Sequence, residues 1–89
     1  MNEMKWIPVT KRLPENLDEV IITWEDMSPF SHKCDRLTGV AVFNNNRWYW
    51  YSRFTRKALK EYGRFKDALI DDSIEITAWM PLPEPYKRR

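Results

Sequence analysis

The segment most informative about the fold is Gly39-Val40-Ala41-Val42-Phe43-Asn44-Asn45-Asn46-Arg47-Trp48-Tyr49-Trp50-Tyr51. Its two halves are rich in β-branched and aromatic residues, which favour strands. The asparagines between them predict a turn, because asparagine tolerates left-handed backbone conformations better than most residues. The stretch therefore predicts a β-hairpin, whose second strand presents Trp48 and Trp50 on one face. The opposite face carries Arg47, Tyr49 and Tyr51.

Three more strands are predicted on either side of this hairpin. Residues 19–24 form an unbroken β-branched and aromatic run, which favours a central strand covered on both faces. Residues 6–9 predict an edge strand or an extended arm, because Pro8 has no N–H to donate to a sheet ladder. Residues 74–79 alternate and predict the last strand, whereas the polar segment 25–36 predicts a loop.

Residues 52–70 change to a helical period, so we predict an amphipathic helix there, with Ser52 as its N-cap. Gly63 weakens this helix by ~1 kcal/mol relative to alanine. One side of the helical wheel is apolar and carries Phe54, Ala58, Tyr62, Phe65 and Leu69. A narrow arc nearly opposite is basic and carries Arg53, Arg56, Lys57, Lys60 and Arg64.

These elements predict an α+β fold, with a small, mostly antiparallel sheet of about four to five strands and one amphipathic basic helix. Three prolines in residues 80–86 forbid a helix and predict an extended, proline-rich C-terminal tail. A chain of 89 residues is expected to fold as a single small domain over residues 1–89.

Charge and composition narrow the class of protein. Fifteen Lys and Arg against thirteen Asp and Glu give a formal charge of +2, unlike strongly basic histone-like proteins. With 43% hydrophobic and 31% charged residues, the chain is expected to be soluble and ordered. No apolar run approaches the ~18 residues of a membrane span, and the opening has no signal-peptide pattern, so we expect a cytoplasmic protein. Cys34 is the single cysteine, which excludes an internal disulfide framework.

The usual catalytic and metal-binding patterns are incomplete in this sequence. His32 and Cys34, with Asp26 and Asp35 nearby, offer metal-ligand types but not the paired Cys or His spacing of a structural zinc site. A nucleophilic Cys–His pair also needs an orienting third group and an oxyanion hole, which nothing supplies. The carboxylate pairs at 25–26 and 71–72 adjoin expected turns, where solvated side chains are usual. We therefore expect neither an enzyme nor a bound metal or cofactor.

The basic helix is the strongest positive signal. Between residues 47 and 66 there are seven basic residues and one acidic residue, Glu61. Like charges one helical turn apart repel by a few tenths of a kcal/mol per pair, and a helix that needs only solubility usually interleaves signs. The arrangement therefore suits an anionic partner. The alternative is a solvated helix face beside aromatic residues that all belong to the core.

Candidate ligand-binding residues follow from this pattern. Arginines give bidentate contacts to phosphate, and tyrosines stack on bases with ~1–3 kcal/mol per base. The predicted binding residues are Arg47, Tyr49, Tyr51, Arg53, Arg56, Lys57, Lys60 and Arg64.

Both ends of the chain carry a family resemblance. The opening Trp6-Ile7-Pro8-Val9-Thr10-Lys11-Arg12-Leu13-Pro14-Glu15, followed by residues 19–23, resembles the start of the domain of unknown function 551 family. The closing stretch Thr77-Ala78-Trp79-Met80-Pro81-Leu82-Pro83-Glu84-Pro85 resembles its end. The resemblance is strongest over residues 6–24 and 74–86, and residues 52–70 read as a basic helical elaboration. It implies a bacteriophage or prophage protein of unestablished activity. Trp6 and Trp79 are expected to be structural residues that pack near each other and tie the two ends together.

Together these observations predict a small, non-catalytic phage-type accessory protein in the cytoplasm of a bacterial host cell. The first hypothesis is counter-defence: the protein binds and sequesters a nucleotide or cyclic nucleotide, or else single-stranded nucleic acid, and forms a homo-oligomer. The alternative is a protein-binding inhibitor or adaptor that covers a host defence or nucleic-acid enzyme.

Overall fold

A computed structural model describes residues 5–27 and 34–83. This part of the chain forms five β-strands, one α-helix and one 3-10 turn. In chain order they are β1 (Ile7–Pro8), β2 (Asp18–Met27), β3 (Cys34–Asn44), β4 (Arg47–Trp50), α1 (Thr55–Tyr62), the 3-10 turn Lys66–Ala68 and β5 (Ile76–Pro81). The strands form one sheet in the order β1-β5-β2-β3-β4, with every neighbouring pair antiparallel. The predicted α+β class and antiparallel sheet are confirmed.

The β3–β4 hairpin turns where the asparagines predicted it. Asn45 and Asn46 have φ angles of 49° and 63°, and two successive left-handed residues are typical of the tight turn that suits a twisted hairpin. Phe43 pairs with Trp48, and their rings meet edge to face with centroids 4.8 Å apart. Tyr49 pairs with Val42 on the other face of the sheet, so the predicted alternation along β4 is confirmed.

Both faces of the sheet carry a buried core. On the first face the core contains Val20, Ile22, Ala41, Ile70, Ile76 and Trp79. On the second face, helix α1 covers the β3–β4 hairpin, and the core contains Val42, Tyr49, Leu59 and Ala68. Strand β2 lies in the middle of the sheet order, as its apolar run predicted, but Ile21 on its second face is only half-buried, so the predicted cover of both faces is incomplete.

The two outer edges of the sheet are blunted. At the β1 edge, Pro8 has no N–H, and its carbonyl accepts the backbone N–H groups of Lys11 and Arg12 at 2.9 and 3.3 Å. At the β4 edge, the backbone N–H of Ile70 donates to the carbonyl of Trp48 at 3.0 Å, beside a bridge between Tyr49 and Leu69. Blunted edges resist pairing with other chains.

Strands β2 and β3 are longer than predicted. Residues 25–27 and 34–36, predicted as loop, are strand, and together with Trp24 and Leu37 they form a two-stranded arm. Glu25 and Arg36 face each other across it, with Nε 3.8 Å from Oε1, and both are exposed. Exposed positions such as Glu25 and Arg36 need no apolar alternation, so the hydrophobic pattern could not reveal these strand ends. His32 lies outside the described residues.

Helix α1 is shorter than predicted, and its buried side differs. The last helical residue is Tyr62; Gly63 follows it, donates its N–H to the Leu59 carbonyl at 2.8 Å, and turns the chain out of the helix with a left-handed φ of 76°. Thr55 and Leu59 face the sheet, whereas Phe54 and Tyr62 are 60% and 75% exposed. The predicted apolar side was therefore wrong, because the wheel assumed one continuous helix over 52–70.

The helix start also differs in detail from the prediction. Phe54, not Ser52, is the residue that flanks the first helical position, and its side chain makes no capping bond. Ser52 Oγ nevertheless accepts the N–H of Thr55 at 3.2 Å, so it satisfies one donor of the first turn.

The last strand is displaced toward the C-terminus. Strand β5 spans Ile76–Pro81, and Met80 and Pro81 pair with Ile21 and Val20. The first two residues of the predicted tail are therefore strand, and residues 84–89 lie outside the described part. Among the described residues, no helix has the length and apolar character to cross a membrane.

Candidate functional site

Hydrogen bonds at both ends fix helix α1 over the β3–β4 hairpin. At its start, Thr55 is fully buried and its Oγ1 donates to the carbonyl of Trp50, the last residue of β4, at 2.9 Å. At its end, Nδ2 of the buried Asn44 donates to the Gly63 carbonyl at 3.2 Å. Helix α1 therefore runs back along β4, and its eight residues span about 12 Å.

The basic ridge is the set of five cations predicted on the helix, and the structure places three of them on α1. Arg56, Lys57 and Lys60 lie within the helix. Arg53 precedes α1 and Arg64 follows Gly63, so they lie at opposite ends. All five are exposed.

One member of the basic ridge forms an ion pair. Arg56 Nη1 lies 3.6 Å from Glu19 Oε1, with the two side chains 60% and 28% exposed. Exposed pairs of this kind contribute at most about 1 kcal/mol. Within residues 5–27 and 34–83, no carboxylate lies within 4 Å of the other four cations. The ridge is therefore mostly unneutralised in the described part of the chain.

Beside the ridge lies a row of apolar side chains across the open part of the same sheet face. Met80, Ile21 and Val40 pair in register across β5, β2 and β3, and the Tyr51 N–H donates to the Val40 carbonyl at 3.0 Å. We call these four side chains the open row. Because side chains alternate along a strand, they lie on the second face of the sheet, next to the part of that face that α1 covers. Its first three side chains are half-buried, and Tyr51 is 46% exposed.

Exposed aromatic rings stand at both ends of the helix. The Arg53 guanidinium carbon lies 4.9 Å from the Phe54 ring centroid, so one cation and one aromatic face are already adjacent. Tyr51 is the most exposed member of the open row, and Tyr62 occupies the last helical position. The sequence interpretation missed Phe54 and Tyr62, because their spacing matched the apolar side of the wheel.

Tyr49 cannot stack on a ligand, which corrects one predicted binding residue. It is 3% exposed and packs with Val42, Leu59 and Ala68 beneath the helix. The alternation of side chains along β4 correctly predicted that Tyr49 lies on the opposite face from Trp48 and Trp50. Both faces of β4 are covered in the structure, however. Only knowledge of where α1 packs could have revealed this burial.

Arg47 lies at the far end of the helix from Tyr51. It pairs across the hairpin with Asn44, whose side chain contacts Gly63, so it shares that end with Arg64. Arg47 also lines an open depression of about 600 Å³ that includes Asp71 and Asp72. No group of three or more His, Cys, Asp or Glu residues in the described ranges is arranged to hold a metal ion.

A second concavity forms where the two ends of the chain meet. Trp79 is 4% exposed, and its Nε1–H donates to the Arg12 carbonyl at 3.0 Å while the Arg12 guanidinium lies 5.3 Å from the ring centroid. Trp6, by contrast, is 40% exposed, whereas Ile7 and Val9 of the opening segment pack against the first-face core that contains Trp79. The resulting groove of about 450 Å³ is lined by Arg12, Leu13, Pro14, Glu15, Asp18, Glu19, Val20, Trp79, Pro81, Leu82 and Pro83.

The residues of this groove belong to the two terminal motifs that carry the family resemblance. The family described as protein of unknown function (DUF551) matches residues 5–87. The chain belongs to the DUF551 family. No curated protein and no solved structure matches the chain significantly. The function of this DUF551 protein therefore has to be argued from its own geometry.

That geometry supports binding chemistry. Exposed cations spaced along about 12 Å of helix, with aromatic rings at both ends, suit an extended anion that also carries flat rings. The open row supplies apolar contact area beside the cations. These groups can hold a ligand by charge, stacking and apolar contact.

Proposed function

We propose that this DUF551 protein is a non-catalytic binding protein that holds a phosphate-bearing ligand of nucleotide type along the basic ridge. The observation that carries the proposal is the absence, in the described residues, of acidic partners for four of the five ridge cations. Tyr51 and Phe54, both exposed, stand next to that charge. Arg53, Arg56, Lys57, Lys60 and Arg64 contact phosphates.

The length of the ridge favours a ligand with several phosphates. Arg53 and Arg64 flank a helix of about 12 Å, so a single phosphate reaches only part of the ridge. A cyclic or linear oligonucleotide, or a short single strand, contacts both ends. Tyr51 and Phe54 stack on bases near Arg53, while Arg47 and Arg64 bind phosphate at the opposite end. Tyr49 has no part in this arrangement.

The family context suggests what such binding is for. A phage-type protein without catalytic groups serves counter-defence by sequestering a host immune nucleotide, and it acts in the bacterial cytoplasm. Sequestration needs affinity and abundance but no turnover, which agrees with a site built only from cations and rings.

Binding titrations with matched charge reversals test the proposal. The purified protein is titrated with a cyclic dinucleotide, with ATP and with a fluorescent single-stranded oligonucleotide. Lys57→Glu combined with Lys60→Glu is expected to weaken binding at least tenfold, because it removes two cations and adds two repulsive charges. Lys11→Glu changes an equally exposed lysine outside the ridge and is the control. No binding of any of these ligands by the wild type, or equal affinity in both variants, contradicts the proposal.

A protein partner is the second candidate, and one observation favours it. Phe54, just before α1, and Tyr62, its last residue, expose 60% and 75% of their area beside the cations, and exposed apolar groups mark protein interfaces. In this case the ridge covers an acidic surface of a host defence or nucleic-acid enzyme as an inhibitor or adaptor. Capture from a host lysate that Phe54→Ala and Tyr62→Ala abolish, without nucleotide binding, favours this candidate over the first.

A further inference from the structure

Strand β2 carries a carboxylate at the border between the covered and the open parts of the second face. Glu19 pairs in register with Val42, which is fully buried in the core beneath α1. Ile21 pairs with Val40, and both are half-buried members of the open row. Side chains two residues apart lie on the same face of a strand, with Cα atoms about 7 Å apart. Glu19 therefore stands directly beside the open row.

The ion pair of Glu19 with Arg56 shows which way the basic ridge faces. Arg56 Nη1 lies 3.6 Å from Glu19 Oε1, so this side of α1 is directed toward β2, two strands in from the β4 edge. Lys60 lies one helical turn farther along the same side. The ridge and the open row therefore form one corner, with cations on the helix and apolar side chains on the sheet.

The open row suits a flat ring. Met80, Ile21 and Val40 leave a half-buried apolar surface, and the 46% exposed Tyr51 closes its end. A base that lies on this surface stays within reach of the ridge cations through its sugar and phosphate. Its edge then faces the side chain of Glu19, which stands beside Ile21 on the same face.

We propose that Glu19 selects guanine, so that the ligand of the basic ridge is a guanine nucleotide; this inference rests on the proposed function. Guanine carries two adjacent donors on its Watson–Crick edge, N1–H and the 2-amino group, and the two oxygens of an ionised carboxylate accept both. Adenine presents one amino donor and the lone pair of N1 at that edge. One carboxylate oxygen would then face a lone pair, which is repulsive.

Arg56 makes a carboxylate compatible with a phosphate site. Glu19 alone would repel the phosphates that the ridge attracts, but the guanidinium 3.6 Å away offsets its charge. A guanidinium has five N–H donors, so those that do not face Glu19 remain for a phosphate. The same ion pair thus joins recognition of the phosphate to recognition of the base.

The affinities of the full chain for two cyclic dinucleotides, one with two guanines and one with two adenines, test the inference. The wild type is expected to bind the guanine form about tenfold or more tightly. Glu19→Gln is expected to abolish or reverse this preference, because a carboxamide offers one acceptor and one donor and so complements adenine. Glu75→Gln changes an exposed glutamate outside the ridge and the open row, and is expected to keep the wild-type preference. Circular dichroism verifies that both variants keep the fold.

An inosine analogue tests the same contact on the wild type. The inosine dinucleotide keeps N1–H but lacks the 2-amino group, so it is expected to bind about fivefold more weakly than the guanine form. Equal affinity for guanine and adenine, equal affinity for guanine and inosine, or a guanine preference that survives Glu19→Gln would overturn the inference and leave the proposed function standing. Failure of the wild type to bind any of these dinucleotides also overturns it. The ATP and oligonucleotide titrations then decide whether the proposed function fails as well.

Discussion

Trp79 joins the two ends of the chain. Its ring is buried on the first face of the sheet, its Nε1–H donates to the Arg12 carbonyl, and Arg12 stacks over it. It also pairs with Ile7 of β1 and Ile22 of β2. One side chain thus holds the opening segment against the sheet by burial, hydrogen bonding and a cation–π contact.

Trp79→Phe should therefore destabilise the fold by about 1–3 kcal/mol. The change removes the indole donor and weakens the cation–π contact, leaving the Arg12 carbonyl without that partner. Urea unfolding gives the free energy of unfolding of both forms. Trp6→Phe is the matched control, because Trp6 is 40% exposed, and its effect should stay below about 0.5 kcal/mol. Equal effects of the two substitutions would contradict the assigned role of Trp79.

Helix α1 shows how short-range signals set an element boundary. Gly63 adopts a left-handed φ of 76° and satisfies the Leu59 carbonyl, so the chain leaves the helix there. Such a glycine is a common helix C-terminus. The sequence contained this signal, but the regular spacing of apolar residues through 52–70 predicted that the helix would continue past Gly63. The local conformation of glycine outweighed that spacing.

Gly63→Ala should destabilise the protein by about 1–2 kcal/mol, because an L-residue with a Cβ is strained at this φ. Apart from its own neighbours in the chain, no atom lies within 4 Å of the added methyl group, so the loss comes from the backbone and not from a clash. The Gly63→Asn variant should lose less stability than Gly63→Ala, since asparagine tolerates left-handed conformations. Thermal unfolding of the two variants checks the order, and an asparagine variant less stable than the alanine variant would exclude this explanation.

At the scale of the whole molecule, the sequence predicts what depends on local pattern. The apolar run of β2, the asparagine turn and the edge position of Pro8 all came from neighbouring residues. The length of the arm, the burial of Tyr49 and the exposure of Phe54 depend on which element covers which face. Those contacts join residues that are distant in sequence, so the local periodicity of apolar residues cannot predict them. The basic ridge was predictable as a set of residues, but not its division between the helix and its two flanks.

The salt dependence of ligand binding is the sharpest test of phosphate binding along the basic ridge. For a single-stranded oligonucleotide, three to five phosphate contacts along the basic ridge predict a slope of log K against log salt of about −2 to −3.5. Lys57→Glu combined with Lys60→Glu should flatten that slope by about 1.4, and Lys11→Glu should leave it unchanged. Binding whose affinity does not change with salt, or a slope that is the same in the ridge variant and the wild type, would contradict the account.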